Sequence, residues 1–240
     1  MYCNLKLFLS EFLFLRIFRK TSSSSEIQEM ICNEISNFSD WCEKNKQYHN
    51  QEKSQLMIFS RKQITFQQPL PINIQKSMKI LGVILNDRLT WHDHVDAICN
   101  KASKRLYILR ALKPLVAVEE LHQIYTSVVR AIFDYACVLF VGLEVGLSNK
   151  LQRIDRRAHR IISYEKKICE CEGDSLSLRR EVLSMTLLQK IIDCKDHILH
   201  DCLPSALPHR DRLSNFYCRT ERRQRSFFPY TVLRWNERRN

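Results

Sequence analysis

The chain has 240 residues and a mass of 28.6 kDa, enough for one or two domains with a core of ordinary size. Hydrophobic residues make up 45% and charged residues 27%, which argues against disorder over the whole length, while the four glycines (Gly82, Gly142, Gly146 and Gly173) are too few and too scattered for a P-loop or a dinucleotide fingerprint. Lys plus Arg number 38 against 26 Asp plus Glu, giving a formal net charge of +12 and a pI of about 9.3, so the first partner to consider is a polyanion.

Residues 5–18, LKLFLSEFLFLRIF, form the segment closest to a signal or anchor. They contain Glu11 and Arg16 and lack a small-residue cleavage site, so the reading is neither secretory nor membrane-bound. The ten cysteines are scattered, and Cys32, Cys99 and Cys137 fall within apolar periodic stretches. Such a pattern reads as buried free thiols in a reducing compartment, hence an intracellular protein of cytoplasm or nucleus.

Ser22–Ser25 is a polar break, and Ser23 with Glu26 has the spacing of a capping box. A helix is expected from there to about Asn45, burying Ile27, Ile31, Ile35, Phe38 and Trp41. Two short strands are expected over 55–59 and 79–86, separated by a loop that holds Pro69 and Pro71. From Thr90 the apolar period becomes helical. Val95, Ile98, Ala102, Leu106, Leu109 and Leu112 make one stripe, stopped by Pro114. Leu121, Tyr125, Val128, Ile132 and Ala136 make a second, and Leu147, Leu151, Ile154, Ala158 and Ile161 a third. Residues 176–199 supply a fourth helix with Leu187, Leu188, Ile191, Ile192 and Ile198 inward, ended by Pro204 and Pro208. The tail from His209 carries nine arginines against three acidic residues and reads as basic and loosely packed. The expected fold class is α+β, mostly α, with divisions at 1–89, 90–203 and 204–240.

Basic residues are placed unevenly on these helices. Lys101, Lys104, Arg105, Arg110 and Lys113 lie in a stretch, 99–114, that has no acidic residue. Arg153, Arg156, Arg157 and Arg160 fall on one helical face opposite Leu151, Ile154 and Ala158, with Asp155 nearby. Such faces neutralise phosphates and release condensed counterions; a solvated surface face has the same composition.

Groups for catalysis do not converge. The sequence contains no adjacent Asp pair and no acidic cluster that could hold two metal ions about 4 Å apart, and no elbow frames a Ser or Cys nucleophile. His92 and His94 stand at a helix start with Asp93 as the expected cap, which favours structure over metal binding. Cys194, His197, His200 and Cys202 are four ligand types close together, yet their spacing is unlike that of paired zinc ligands, and a structural helix is the simpler reading. Cys169 and Cys171, a Cys-x-Cys beside Glu170, carry a still weaker metal signal.

Several ordered phrases, however, resemble the C-terminal part of reverse transcriptases of non-LTR (LINE, jockey-like) retrotransposons. They are WCEKN at 41–45, NQEKSQLMIFSR at 50–61, KILGVILNDRLTWHDHVDAICNKASKRLYILRAL at 79–112, YTSVVRAIFDYACVLF at 125–140, LQRIDRRAHRII at 151–162 and RTERRQRSFFPYTVLRWN at 219–236. In that family a helix ending in Trp-Cys leads to a strand, a Leu-Gly-Val strand closes the palm, and a Leu-Thr-Trp phrase opens the thumb. The resemblance implies a short β remnant of a palm over 1–89, a helical thumb-like region over 90–203, and a basic tail over 204–240.

The family's palm carries an upstream Asp and an Asp–Asp pair that hold Mg²⁺, the pair being followed by an apolar run that LKLFLS at 5–10 resembles. That alignment sets Cys3 and Asn4 at the positions of the pair, a soft thiol and a neutral amide in place of two hard carboxylates. Implied, therefore, is a truncated fragment without catalytic residues, metal or other cofactor, and without a small-molecule substrate. Its partner would be an RNA–DNA hybrid or another nucleic acid, held by phosphate contacts from Lys101, Lys104, Arg105, Arg110, Arg153, Arg156, Arg157 and Arg160. The alternative is a helical protein-interaction or inert pseudogene product whose charge is only inherited. The LGV, LTWHDHV and KRLYILR phrases also resemble a region sometimes named as the N-terminal domain of an AlkB homologue, but the sequence has no glycine-rich methyl-donor site, and such a name reads as shared ancestry rather than activity.

Overall fold

The structure is a computed structural model, describing residues 24–48, 54–59, 65–66, 69–162, 175–207 and 212–239. It is mostly helical with one small two-stranded antiparallel sheet, an α+β fold dominated by α. Among the described residues no helix is long and apolar enough to cross a membrane. The chain divides into two compact units: the described residues up to Met78 with Asn86–Leu89, and Lys79–Leu85 with those from Thr90 onward.

In the first unit, α1 spans Ser24–Lys44 with Glu26 in its first turn and Lys44 in its last, both favourable to the helix dipole. Ile27, Ile31 and Cys42 are its buried residues. Trp41 is exposed instead, its ring stacked on Phe38 at 6.3 Å between centroids. The strand expected over 55–59 does not form. Leu56 alone makes a bridge, parallel to Ile74, its N–H donating to the Asn73 carbonyl and its carbonyl accepting from Gln75 N–H. The partner segment starts two residues beyond Pro71 and leaves the pairing after Gln75, too short a run for a ladder.

The strand expected over 79–86 is a hairpin, β1 (Ser77–Ile80) and β2 (Val83–Asn86), turned at Leu81 and Gly82. Both turn residues have positive φ, +46° and +84°, as a two-residue hairpin turn of the primed type requires. Glycine accepts that conformation freely, whereas Leu81 is held in it by the Tyr135 hydroxyl, which donates to its carbonyl at 2.6 Å.

The second unit is built on α2 (His92–Leu112), whose Val95, Ile98, Ala102, Leu106 and Leu109 are buried along the expected stripe. Its start differs from expectation: Trp91 is the N-cap residue and makes no side-chain cap, with Asp93 inside the first turn. After Pro114 the chain re-enters helix at α3 (Val118–Ile124), where the Glu120 carboxylate accepts from Ala117 N–H at 3.2 Å. A π-helical turn, Tyr125–Arg130, then leads into α4 (Ala131–Asp134), which ends where Ala136 takes a φ of +52°.

This π turn explains a misread stripe. Regular α-helical spacing predicts Val128, Ile132 and Ala136 inward, but the buried residues are Val129, Phe133 and Cys137. A π turn takes in one residue more than an α turn, so every position after it moves on by one. The 3₁₀ turn Cys137–Phe140 follows, then α5 (Val145–Ile162), which buries Leu147, Leu151, Asp155, Ala158 and Ile162. Gly142 lies so near the Arg225 backbone that a Cβ there would overlap it, which is why this position tolerates no side chain.

α6 (Leu176–Asp193) is capped by Ser175, whose hydroxyl accepts from Leu178 N–H at 3.2 Å. It ends eleven residues before Pro204, because 193–197 (Asp, Cys, Lys, Asp, His) supplies no apolar face to bury. Leu188 and Ile191 are buried as expected, while Ile198 is 68% exposed beyond the helix end.

The expectation of a loosely packed tail is overturned. α7 (Glu221–Gln224) and α8 (Phe227–Glu237) follow, the latter with Pro229 within its first turn, where a missing N–H costs nothing. Val232 and Trp235 of α8 pack with Met185, Leu188 and Leu213 into a second core cluster. The Asn236 amide brackets Leu213, accepting from its N–H at 3.1 Å and donating to its carbonyl at 2.7 Å. The tail's charge count misleads in part because two of its arginines find acids from elsewhere in the chain, Arg225 pairing with Glu144 at 3.2 Å and Arg238 with Glu181 at 3.1 Å.

Candidate nucleic-acid interface

α2 and α5 pack more extensively on each other than any other two elements, and Lys150 of α5 pairs with Asp96 of α2 at their edge. Each buries one stripe and turns the opposite face outward. On α2 that outward face carries Lys101, Lys104, Arg105 and Arg110; on α5 it carries Arg153, Arg156, Arg157 and Arg160. All eight are exposed. None makes an ion pair among the described residues, whereas Lys150, Arg179, Arg225, Arg234 and Arg238 each hold a carboxylate. A surface evolved only for solubility interleaves charges of both signs; here eight cations on adjoining helices are left uncompensated.

Asp155, close to these arginines in sequence, is turned away from the basic face. It is 2% exposed and accepts a hydrogen bond from the buried Tyr125 hydroxyl. Gln152 donates to its other carboxyl oxygen at 3.1 Å while accepting from the Leu176 N–H at 3.0 Å, tying α5 to the first turn of α6. The His159 ring lies against Tyr125, edge to face at 4.8 Å, with Nδ1 3.0 Å from the Asp155 carbonyl. Burial first, and the neighbouring Asp155 carboxyl second, hold the Tyr125 phenol far above its ordinary pKa, so it remains a donor. With its hydroxyl protonated and sealed from solvent, this network fixes α5 against the π turn and so sets the direction of the arginine face. The signal was present in the sequence: Asp155 stands four residues after Leu151 and three before Ala158, on their stripe.

Arg180 is a further buried charge that sequence reasoning missed. Its Nη2 donates to Ser148 at 2.8 Å, no carboxylate pairs with it among the described residues, and desolvation lowers its pKa. It links α6 to α5 from the side away from solvent.

His92 and His94 do not converge. His94 is buried beside the Trp91 and Phe140 rings, its Nδ1 accepting from the Ile84 N–H of the hairpin at 3.3 Å and its Nε2 unpartnered. Desolvation lowers its pKa. The unfolded chain, with an ordinary His near 6.5, therefore takes up a proton before the folded one does. Stability is expected to be level above about pH 7 and to fall as pH drops through about 6.5, by at most about 1.4 kcal/mol per pH unit. Urea unfolding of the parent and of His94→Gln between pH 8 and 5 checks this: the difference between the two must shrink on the acid side.

The stretch with Cys194, His197, His200 and Cys202 is a series of turns and a 3₁₀ segment, not the helix expected. Cys194 and Cys202 are exposed free thiols. Among the described residues no three His, Cys, Asp or Glu side chains converge as metal ligands. Cys169, Cys171, Cys3 and Asn4 lie outside the described residues. As donors for Mg²⁺, a thiol and a neutral amide do not fit, since that ion takes carboxylate oxygens in octahedral geometry.

Comparisons with protein-family models, with curated proteins and with solved structures find no match for this chain.

Proposed function

We propose that this chain is a helical nucleic-acid-binding module that grips the phosphate backbone through the outward faces of α2 and α5 and does not polymerise DNA. The observation that carries the reading is the set of eight exposed cations on two adjoining helices with no acidic partner among the described residues. Phosphate contacts of this kind supply affinity and register with little sequence preference. The resemblance of the chain's ordered phrases to non-LTR reverse transcriptases supplies the finer proposal, in which 90–203 descends from a thumb that tracks an RNA–DNA hybrid. The absence of any Asp–Asp pair from the sequence supports the lack of polymerase chemistry, because phosphoryl transfer depends on metal ions to neutralise developing charge.

Fluorescence-anisotropy titration of a labelled RNA–DNA hybrid tests the binding. The parent is expected to lose affinity linearly in log K against log salt. The variant with Arg153, Arg156, Arg157 and Arg160 changed to Glu should lose at least about a hundredfold and show a slope shallower by about 4. Equal affinity of variant and parent, or a salt-insensitive curve, overturns the proposal and favours a protein-interaction role. Primer extension with Mg²⁺ or Mn²⁺ is expected to stay at the buffer blank; template-dependent incorporation would refute the inactive reading.

A further inference from the structure

An aromatic ring stands within the cation field. Tyr107 lies on the exposed face of α2, one helical turn after Lys104 and one before Arg110, with Asn100 and Ala111 completing the same stripe. Its side chain is 72% exposed and its ring makes no ring or cation contact with any described residue. Three other tyrosines of this unit are committed: Tyr125 is buried on Asp155, Tyr135 is bonded to Leu81, and Tyr230 lies under Arg234. An open ring costs the fold the burial that a tyrosine normally contributes.

The choice of ligand follows from what such a ring can touch. A duplex, including an RNA–DNA hybrid, turns phosphates and sugars outward and keeps its base faces stacked inside, so a ring on a convex helix gains nothing from it. Unpaired bases have a free face. Grooves that hold single strands combine a cationic track for the backbone with aromatic platforms for the bases. On α2 the cations run from Lys101 to Arg110, about 14 Å along the axis at 1.5 Å per residue, with the ring between them.

We infer that the α2 face binds a single-stranded stretch of nucleic acid, with a base stacked on Tyr107 and the flanking phosphates on Lys104 and Arg110. This rests on the phosphate-binding reading above and adds the substrate class. Both RNA and DNA carry the chemistry required, a polyanionic backbone with exposed base faces, so the test has an arm for each.

The experiment is anisotropy titration of the full chain with fluorescein-labelled oligouridylate, oligothymidylate and an RNA–DNA hybrid, using parent, Tyr107→Ala and Tyr107→Phe. Loss of one base stack corresponds to about a 5- to 100-fold weakening. Tyr107→Ala is expected to weaken single-strand binding by that range and to leave hybrid binding unchanged, with Tyr107→Phe near the parent on all three. Quenching of a 2-aminopurine in the single strand by parent and Tyr107→Phe, and its loss in Tyr107→Ala, reports the stack directly. Equal weakening of the oligouridylate and oligothymidylate complexes places recognition on the base face; a weakening confined to one assigns the site to that nucleic acid. Because Tyr107 is exposed, urea midpoints of the three proteins should coincide. Undiminished single-strand binding by Tyr107→Ala, or equal loss on the hybrid, overturns the inference. If the four-Arg-to-Glu variant still loses hybrid binding in that case, the phosphate-binding reading stands without the stack; if the parent binds none of the three, both fall.

Discussion

Trp235→Ala is expected to destabilise the chain by about 3–5 kcal/mol, the range for truncating a large buried aromatic. Trp235 is 8% exposed, packed in the cluster of Met185, Leu188, Leu213 and Val232, with the Arg239 guanidinium over its ring at 3.6 Å. Replacing it leaves a void against α6 that the surrounding side chains fill only in part. A shift in the urea midpoint with an unchanged slope is the signature of a cooperative core residue. A tail attached only by charge would give a shift near zero, and that result would return residues 212–239 to the loosely packed reading. Arg238→Ala is the matched control: its pair with Glu181 is partly exposed and worth less than about 1 kcal/mol.

Asp155→Ala has the next largest expected effect, a loss of about 3 kcal/mol. The Tyr125 hydroxyl would stay buried without its acceptor, and Gln152 would lose the bond within α5 that orients its amide toward the Leu176 N–H of α6. A buried donor left without a partner carries its full desolvation penalty. Tyr125→Phe should cost less, about 1–2 kcal/mol, and the double variant should fall short of the sum of the two. Additive behaviour would show that the two residues do not act as a pair. Because this network orients α5, the Asp155→Ala protein, measured where it is still folded, should also bind the hybrid more weakly, although Asp155 is too deeply buried to touch a ligand.

The π turn shows best how far local periodicity reaches. Residues 118–137 have an unbroken apolar period, and a reader must assume one helix geometry to phase it. The correct phase depends on packing: Tyr125 and Arg130 are both buried, the guanidinium lying 5.4 Å over the phenol ring, and the wider turn admits both. No residue in the string announces that choice. The hairpin differs, since Leu81 and Gly82 supply one half of a turn signal and the other half, Tyr135, is more than fifty residues away in the chain. The Arg-rich tail illustrates the same limit for charge, since Glu144 and Glu181 are remote in sequence and cannot be counted as partners until the chain is folded.

By itself the sequence determined the mostly helical class, the buried stripe of α2, the placement of eight basic residues on two helical faces, and the absence of an adjacent Asp pair. Each of these is a matter of residue type at short spacing, where the 3.6-residue period and side-chain chemistry act locally. The tertiary structure alone decided that the tail belongs to a core, that Asp155 meets the Tyr125 hydroxyl, and that α2 and α5 lie side by side with their cations unpaired and the ring of Tyr107 open. Those properties depend on which distant groups come within a few ångströms, and burial and ion pairing are set by that proximity.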